Sequence, residues 1–136
     1  MMSSMSPEEA EVHDKTVGLV AKKRFPFPND EHPNWRTYTN HPVPAMGIKV
    51  GTQFVHPDIV VVDAEGKIVM LAEVETDSTV NPASSSKWKD DSSICSVFFL
   101  YVPEEFVDEA GKLLTENGIP FKGLRAYSYS FSIRDV

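Results

Sequence analysis

Three acidic residues stand at the ends of two apolar segments that are neighbours in the chain. Asp58 precedes the β-branched run 59–62, and Glu73 and Glu75 close the apolar run 68–74. A continuous apolar run of this length is typical of a strand buried on both faces of a sheet. The residues between the runs are turn-forming, so the pair is predicted to form a β-hairpin. In such a hairpin the acidic ends of the two strands lie side by side.

The turn decides whether the acids share a face of the sheet. A loop of two or four residues within 63–67 places Asp58 opposite Glu73, and Glu75 then shares their face because side chains alternate along a strand. A three-residue loop with a glycine bulge moves the register by one residue and puts Asp58 and Glu73 on opposite faces. The turn residues are compatible with both arrangements.

Three carboxylates on one buried face repel each other unless a cation or shared protons compensate them. Hard oxygen ligands suit magnesium, manganese or calcium, so Asp58, Glu73 and Glu75 are candidate metal ligands. The alternative is that the strand ends emerge into water and carry solvated acids.

The same residues carry a resemblance to a known family. Pro57-Asp58, a hydrophobic strand, a turn, and Glu73-Val74-Glu75 at the end of a second strand resemble the PD-(D/E)xK nuclease superfamily. The resemblance implies a restriction-endonuclease-like fold in which Asp58 and Glu73 bind Mg²⁺ or Mn²⁺. The family's third motif residue is a lysine that helps to orient or activate water, and Glu75 stands there instead. If Glu75 occupies that position, Glu75→Lys is expected to raise the stability of the metal-free protein.

Some branches of the superfamily supply the lysine from the following helix. Here Asn81-Pro82 is typical of a helix start, and Lys87 and Lys89 lie in the helix that follows. Because they are two residues apart, they point in different directions and at most one reaches the site. The alternative is two solvated lysines flanking a buried Trp88. The candidate catalytic residues are therefore Asp58, Glu73, Glu75, Lys87 and Lys89.

Length and composition indicate one globular domain over residues 1–136. Apolar residues make up 41% and charged residues 24%, and no apolar run approaches the roughly 20 residues of a membrane span. A single cysteine, Cys95, and the absence of a signal-peptide pattern predict a cytoplasmic protein without a membrane partner. The net charge of −7 argues against a broad nucleic-acid-binding surface.

The chain is predicted to begin with a tail, residues 1–5, followed by a helix that Ser6-Pro7-Glu8-Glu9 starts as a capping box. Its inward face carries Ala10, His13, Val17, Val20 and Ala21. His13 is interpreted as a packed, hydrogen-bonded histidine, because no second ligand stands near it in the sequence. Glu9 or Asp14 is the acid that a superfamily first helix sometimes lends to the site.

Residues 25–46 contain five prolines and are predicted to form a loop that either covers the acidic cleft, wraps a partner or lies on the surface. Its two histidines, His32 and His41, lack zinc-type spacing, so metal binding by this segment is not expected.

The remaining elements are a first strand within Gly47–Phe54, a strand at Cys95–Val102, a helix that opens at Pro103 and ends before Gly118, and a final strand with alternating residues from Tyr127 to Ile133. The predicted order is α-β-β-β-α-β-α-β. It corresponds to an α/β protein of the restriction-endonuclease-like fold, with a central mixed sheet flanked by helices.

Two functions follow from this pattern. The first is a metal-dependent nuclease that hydrolyses phosphodiester bonds in DNA. The second is a catalytically degenerate nuclease-fold module for binding or assembly, which agrees with Glu75 in place of lysine, the acidic charge and the small size. A domain this small is expected to need a homo-oligomer or a larger complex to grip DNA.

Overall fold

The computed structural model describes residues 5–128 and Asp135. The protein is an α/β domain with a mixed five-stranded sheet flanked by helices. The helices are α1 (Pro7–Arg24), α2 (Pro82–Ile94) and α3 (Val107–Glu116), with a short 3-10 helix at Glu104–Phe106. The strands are β1 (Arg36–Thr39), β2 (Ile48–Val50), β3 (Gln53–Val55), β4 (Ile59–Val62), β5 (Ile68–Val74), β6 (Phe98–Pro103) and β7 (Gly123–Tyr127).

The main sheet has the order β1-β4-β5-β6-β7. Strands β1, β4 and β5 pair antiparallel, whereas β5, β6 and β7 pair parallel. The parallel pairs are joined through α2 and α3, as parallel connections require. Strands β2 and β3 form a separate two-stranded sheet.

Alternate residues of β4 enter different cores, which explains why this strand is apolar throughout. Val60 and Val62 pack in a cluster with Trp88 of α2 and with residues of α3. Ile59 and Val61 pack in a second cluster with Val17 of α1. Helix α1 therefore covers one face of the sheet, and α2 and α3 cover the other, so the prediction of a buried central strand is confirmed.

The predicted starts of α1 and α2 are confirmed. The Ser6 side chain accepts a hydrogen bond from the Glu9 N–H, and the Asn81 side chain accepts one from the Ser84 N–H. Each cap satisfies an N–H group that has no partner within the helix. In the described part of the chain, no helix has both the length and the apolar character needed to cross a membrane.

The prediction of a continuous loop over 25–46 is wrong, because β1 lies inside it. The prolines flank this strand rather than interrupt it, and Arg36-Thr37-Tyr38-Thr39 pairs with β4 along the edge of the sheet. The strand predicted within Gly47–Phe54 is instead the hairpin of β2 and β3, outside the main sheet. Three strands do precede α2 in the main sheet, but the first of them is β1.

Three boundaries of the C-terminal half also differ from the prediction. Cys95 is not in a strand but is the C-terminal cap of α2, and its N–H donates to the Asp91 carbonyl. Pro103 ends β6, and the helix follows only after the 3-10 turn. The last strand, β7, ends at Tyr127, and the predicted alternation over positions 129, 131 and 133 falls outside the described residues.

The hairpin between β4 and β5 has the three-residue loop that the sequence left as an alternative. The Asp63 N–H donates to the Lys67 carbonyl, and Gly66 has a positive φ of 83°. The loop alone would shift the register, but Val62 pairs with Ile68 while Val61 pairs with Met70, so one extra residue bulges out of β5. This bulge restores the register in which Asp58 faces Glu73.

Candidate functional site

The hairpin brings the three predicted acids together in the interior of the protein. Ile59 pairs with Ala72, which places Asp58 opposite Glu73 at the next position. Asp58, Glu73 and Glu75 are 3%, 1% and 2% exposed, so none is a solvated strand end. The interpretation as exposed acids is therefore wrong, and each carboxylate needs its own compensation.

Asp58 is compensated by hydrogen-bond donors on both of its oxygens. Oδ2 lies 3.2 Å from His13 Nε2 and accepts the Val74 N–H at 2.7 Å, while Oδ1 lies 3.0 Å from His41 Nε2. Burial by itself would raise the pKa of Asp58, but the hydrogen bonds to His13 and His41 outweigh it and hold that pKa far below its ordinary value. Asp58 is thus a fixed anion.

The position of His41 is set by its neighbour Asn40. The buried Asn40 amide donates to the carbonyls of Met46 and Pro57 at 2.8 and 2.6 Å, and its oxygen accepts the N–H groups of Ala45 and Met46. These bonds tie the segment after β1 to the residue before Asp58. The proline-rich segment therefore reaches the site through His41 and covers Asp58.

The pKa of Glu73 is shifted in the opposite direction from that of Asp58. Burial, followed in the raising direction by the negative charge of Asp58, lifts the pKa of Glu73 well above its ordinary value, although the positive charge of Lys87 opposes the shift. Within the described residues, Glu73 Oε2 and Asp91 Oδ2 are buried without a hydrogen-bond partner. Burial also raises the pKa of Asp91 to about 6. Two buried carboxyl groups with raised pKa values therefore lie together, and either a shared proton or a cation can compensate them.

Glu75 is held by two side chains of α2. Its Oε2 accepts the indole N–H of Trp88 at 2.7 Å and lies 3.1 Å from Lys87 Nζ. The same ammonium group lies 3.7 Å from Glu73 Oε1. Lys87 therefore bridges two of the three acids with a side chain that is 46% exposed, whereas Lys89 on the same helix is exposed and forms no ion pair with the described acids. The prediction that at most one of the two lysines reaches the site agrees with these positions.

The charge of Lys87 is fixed by these contacts. Burial of the ammonium group lowers its pKa, but Glu73 and Glu75 together raise it well above its ordinary value. Lys87 is therefore a permanent cation, suited to stabilising negative charge and unsuited to accepting a proton.

Asp91 is a site residue that the sequence did not reveal. It lies four positions after Lys87 on α2 and is 1% exposed. Residues four apart share a helix face, so this spacing was the signal that could have identified it. Glu9, one of the two acids proposed from α1, instead accepts hydrogen bonds from the backbone and hydroxyl of Ser78.

The histidines were also missed. His13 is packed and hydrogen-bonded, as predicted, but its partner is Asp58. His41 and Asp14 lie beside it, and the three residues form a group whose ligand atoms are all within 4.8 Å of one another. His13 and His41 are far apart in the sequence, so no local spacing indicates the pair.

No match to this chain was found among protein-family models, curated proteins or solved structures. A functional assignment therefore depends on the site itself, which holds four buried carboxyl groups, one permanent cation and two histidines.

Proposed function

We propose that the protein is a metal-dependent nuclease of the PD-(D/E)xK type that hydrolyses phosphodiester bonds in DNA. Asp58 and Glu73 are the proposed metal ligands, and Lys87 replaces the lysine that the motif lacks at Glu75. Net charge and size favour action within a homo-oligomer or a larger complex, since a chain of charge −7 repels DNA outside its site.

The observation that carries the proposal is the position of the Lys87 ammonium group. It stands 3.1 Å from the Glu75 carboxylate and 3.7 Å from the Glu73 carboxylate. A lysine from the following helix thus occupies the neighbourhood in which the family pattern expects one. In this role Lys87 stabilises the negative charge that develops on a phosphate, because its raised pKa prevents it from acting as a base.

Glu75 is the positioning residue for Lys87. Its Oε2 accepts from both Trp88 and Lys87, and Trp88 is fully buried, so the indole fixes the carboxylate that in turn fixes the ammonium group. Glu75, which stands where the motif has a lysine, then holds Lys87 of the following helix in position. If Glu75 also contacts a metal ion, as the sequence suggested, it does so with the oxygen that Trp88 and Lys87 do not use.

The acids fit a hard divalent cation. Glu73 Oε2 and Asp91 Oδ2 are buried oxygen atoms that lack partners among the described residues, and oxygen donors suit Mg²⁺ or Mn²⁺. A bound ion of this kind would polarise a phosphate and lower the pKa of a coordinated water. It would also remove the reason for Glu73 to stay protonated, because a cation compensates the buried charge.

One observation favours the second function, a catalytically degenerate module for binding or assembly. Both oxygens of Asp58 already have donors, from His13, His41 and the Val74 backbone. Because the Asp58 carboxylate accepts hydrogen bonds on both oxygens, its charge is compensated without a metal ion. In a protein that has lost catalysis, these contacts would be the replacement for the ion.

The experiment compares DNA cleavage by the intact chain with that by two matched lysine variants. Supercoiled, linear and single-stranded DNA are incubated with Mg²⁺ or Mn²⁺. Cleavage is expected to fall at least about a hundredfold in Lys87→Met and to remain within about twofold in Lys89→Met.

A third variant, Glu73→Gln, keeps the shape of a proposed ligand and is expected to abolish cleavage without unfolding the protein. If the wild-type protein cuts none of the substrates in either metal, the degenerate module is the correct function. Equal losses in Lys87→Met and Lys89→Met would show that the proposed role of Lys87 is wrong.

A further inference from the structure

A second group of metal-ligating atoms lies on the other side of Asp58, between α1 and the segment that follows β1. Asp14 Oδ1 is 3.7 Å from His13 Nδ1 and 3.4 Å from His41 Nδ1. Ligands about 2.0–2.2 Å from a tetrahedral metal ion are roughly 3.3–3.6 Å from one another. His41 Nδ1 and Asp14 Oδ1 fall within that range, His13 Nδ1 lies slightly beyond it, and one ligand atom of each of the three residues lies within 4.8 Å of the others.

Asp58 orients both histidine rings. His13 Nε2 and His41 Nε2 lie on different oxygens of the Asp58 carboxylate, at 3.2 and 3.0 Å, and the rings meet edge to face. A carboxylate only accepts hydrogen bonds, so each Nε2 carries a hydrogen, and in the neutral form of each ring Nδ1 then presents a lone pair. In metal sites, the ring nitrogen of a histidine that does not bind the metal usually donates a hydrogen bond to a carboxylate or another acceptor.

An independent observation points to a ligand at this group. His13 Nδ1 is buried and has no hydrogen-bond partner among the described residues, and His13 is only 5% exposed. Its distance of 3.7 Å from Asp14 is too long for a hydrogen bond. A buried ring nitrogen normally has a partner, and a metal ion between His13, Asp14 and His41 would provide one.

We propose that His13, Asp14 and His41 form a binding site for a divalent transition-metal ion such as Zn²⁺, with Asp58 holding both imidazole rings in the ligating orientation. Imidazole ligands select zinc and its neighbours over magnesium. Asp14 and Asp58 together carry two negative charges, which match the charge of the ion.

The site is accessible from solvent. The side chains of His41 and Asp14 are 36% and 33% exposed, so an ion can enter without opening the core. Three protein ligands leave a coordination position for water or a substrate group, which is the composition of a catalytic rather than a structural zinc site. The site uses none of Glu73, Glu75 and Lys87, and it goes beyond the proposed nuclease function.

The test is calorimetric titration of the full chain with Zn²⁺ alone, repeated with Co²⁺ while its visible absorption is recorded. We expect one Zn²⁺ per chain in the micromolar range or tighter. His41→Ala and Asp14→Asn change partly exposed side chains and are each expected to weaken binding at least about tenfold. The exposed His56 provides the matched control, and His56→Ala is expected to bind as the wild type does.

Two further variants separate this site from its rivals. Cys95→Ser is expected to leave the Co²⁺ spectrum unchanged, because no thiolate takes part. Glu73→Gln is expected to retain Zn²⁺ binding, whereas a loss as large as that in His41→Ala would place the ion at the acids and overturn the proposal. Absence of binding to the folded wild type up to about a millimolar, or unchanged affinity in both His41→Ala and Asp14→Asn, would also overturn it, and the group would then be a hydrogen-bonded cluster only.

Discussion

Asp58 and Glu73 face each other across two paired strands and are almost equally buried, at 3% and 1% exposure. Their surroundings nevertheless drive the pKa values of the two carboxyl groups in opposite directions. On the side of α1, Asp58 receives donors from two histidines and a backbone amide. On the side of α2, Glu73 meets another carboxyl group and one ammonium group that it shares with Glu75.

The comparison shows that burial does not decide the charge of an acid. Both carboxyl groups lose water, and the number of donors that replace it decides whether each stays ionised. On one flank of the site, the ionised Asp58 accepts hydrogen bonds from the imidazole rings of His13 and His41. The other flank is a group of carboxyl groups, two of which have raised pKa values because one ammonium group does not compensate all of them.

The largest effect is expected on the Asp58 flank. Asp58→Ala leaves the buried His13, the partly exposed His41 and the Val74 N–H without their acceptor, and we expect the free energy of unfolding to fall by about 3 kcal/mol or more. Urea denaturation at neutral pH measures this, with Asp90→Ala on the exposed surface of α2 as the control, for which a change below about 0.5 kcal/mol is expected.

The pH dependence of this difference has a definite sign. Because the folded state holds the pKa of Asp58 below the unfolded value, its stabilisation is present above about pH 4 and declines as the pH falls further. A difference between Asp58→Ala and the wild type that stays constant down to strongly acidic pH would contradict the role of Asp58 as an anion.

A second test replaces the negative charge of Glu75, beside Glu73, by a positive charge. The sequence pattern alone suggested that Glu75→Lys would stabilise the metal-free protein, and the structure reverses this expectation. The new ammonium group would stand beside Lys87, and the buried Trp88 N–H would lose its acceptor. We expect a loss of about 2 kcal/mol in the free energy of unfolding.

Glu75→Gln is the matched control for that change, because its amide oxygen still accepts from Trp88. Thermal and urea unfolding of both variants without metal should rank wild type, Glu75→Gln and Glu75→Lys in order of decreasing stability. If Glu75→Lys were the most stable of the three, the pairing of Glu75 with Lys87 would not exist in solution.

The smallest expected effect is a gain in the free energy of unfolding. Glu73→Gln removes a group that folding forces to bind a proton, and its amide can donate to Asp91, so the free energy of unfolding should rise by at least about 1 kcal/mol at neutral pH. Since the folded pKa of Glu73 is raised, its unfavourable contribution grows as the pH rises from the unfolded value through the folded value.

Urea unfolding between about pH 5 and pH 8 checks this sign, because the decline in stability with rising pH should be shallower in Glu73→Gln than in the wild type. Some decline should remain, since the pKa of Asp91 is also raised. The exposed Glu65→Gln in the turn controls for the loss of one charge. A Glu73→Gln protein that is less stable than the wild type across this range would mean that Glu73 is ionised in the folded state.

Local patterns predicted much of the fold. The capped starts of α1 and α2, the buried hairpin of β4 and β5, and the helix before Gly118 all depend on signals within a few residues. Strand β1 was missed because prolines on either side of it masked four residues whose pairing is decided by a distant partner, β4. The hairpin shows the same limit, because the turn residues did not reveal the bulge at Val69 that restores the register.

For the site, a local pattern was enough to identify the acids as candidates, because the carboxylates occupy the ends of two apolar strands. The sequence also indicated that at most one of Lys87 and Lys89 points toward them, since a helix separates residues two apart. Tertiary packing brings Lys87 to Glu73 and Glu75, Asp91 to Glu73, and the two histidines to Asp58. These contacts join residues from separate elements, and their distances depend on how helices pack on a sheet, which no spacing along the chain records.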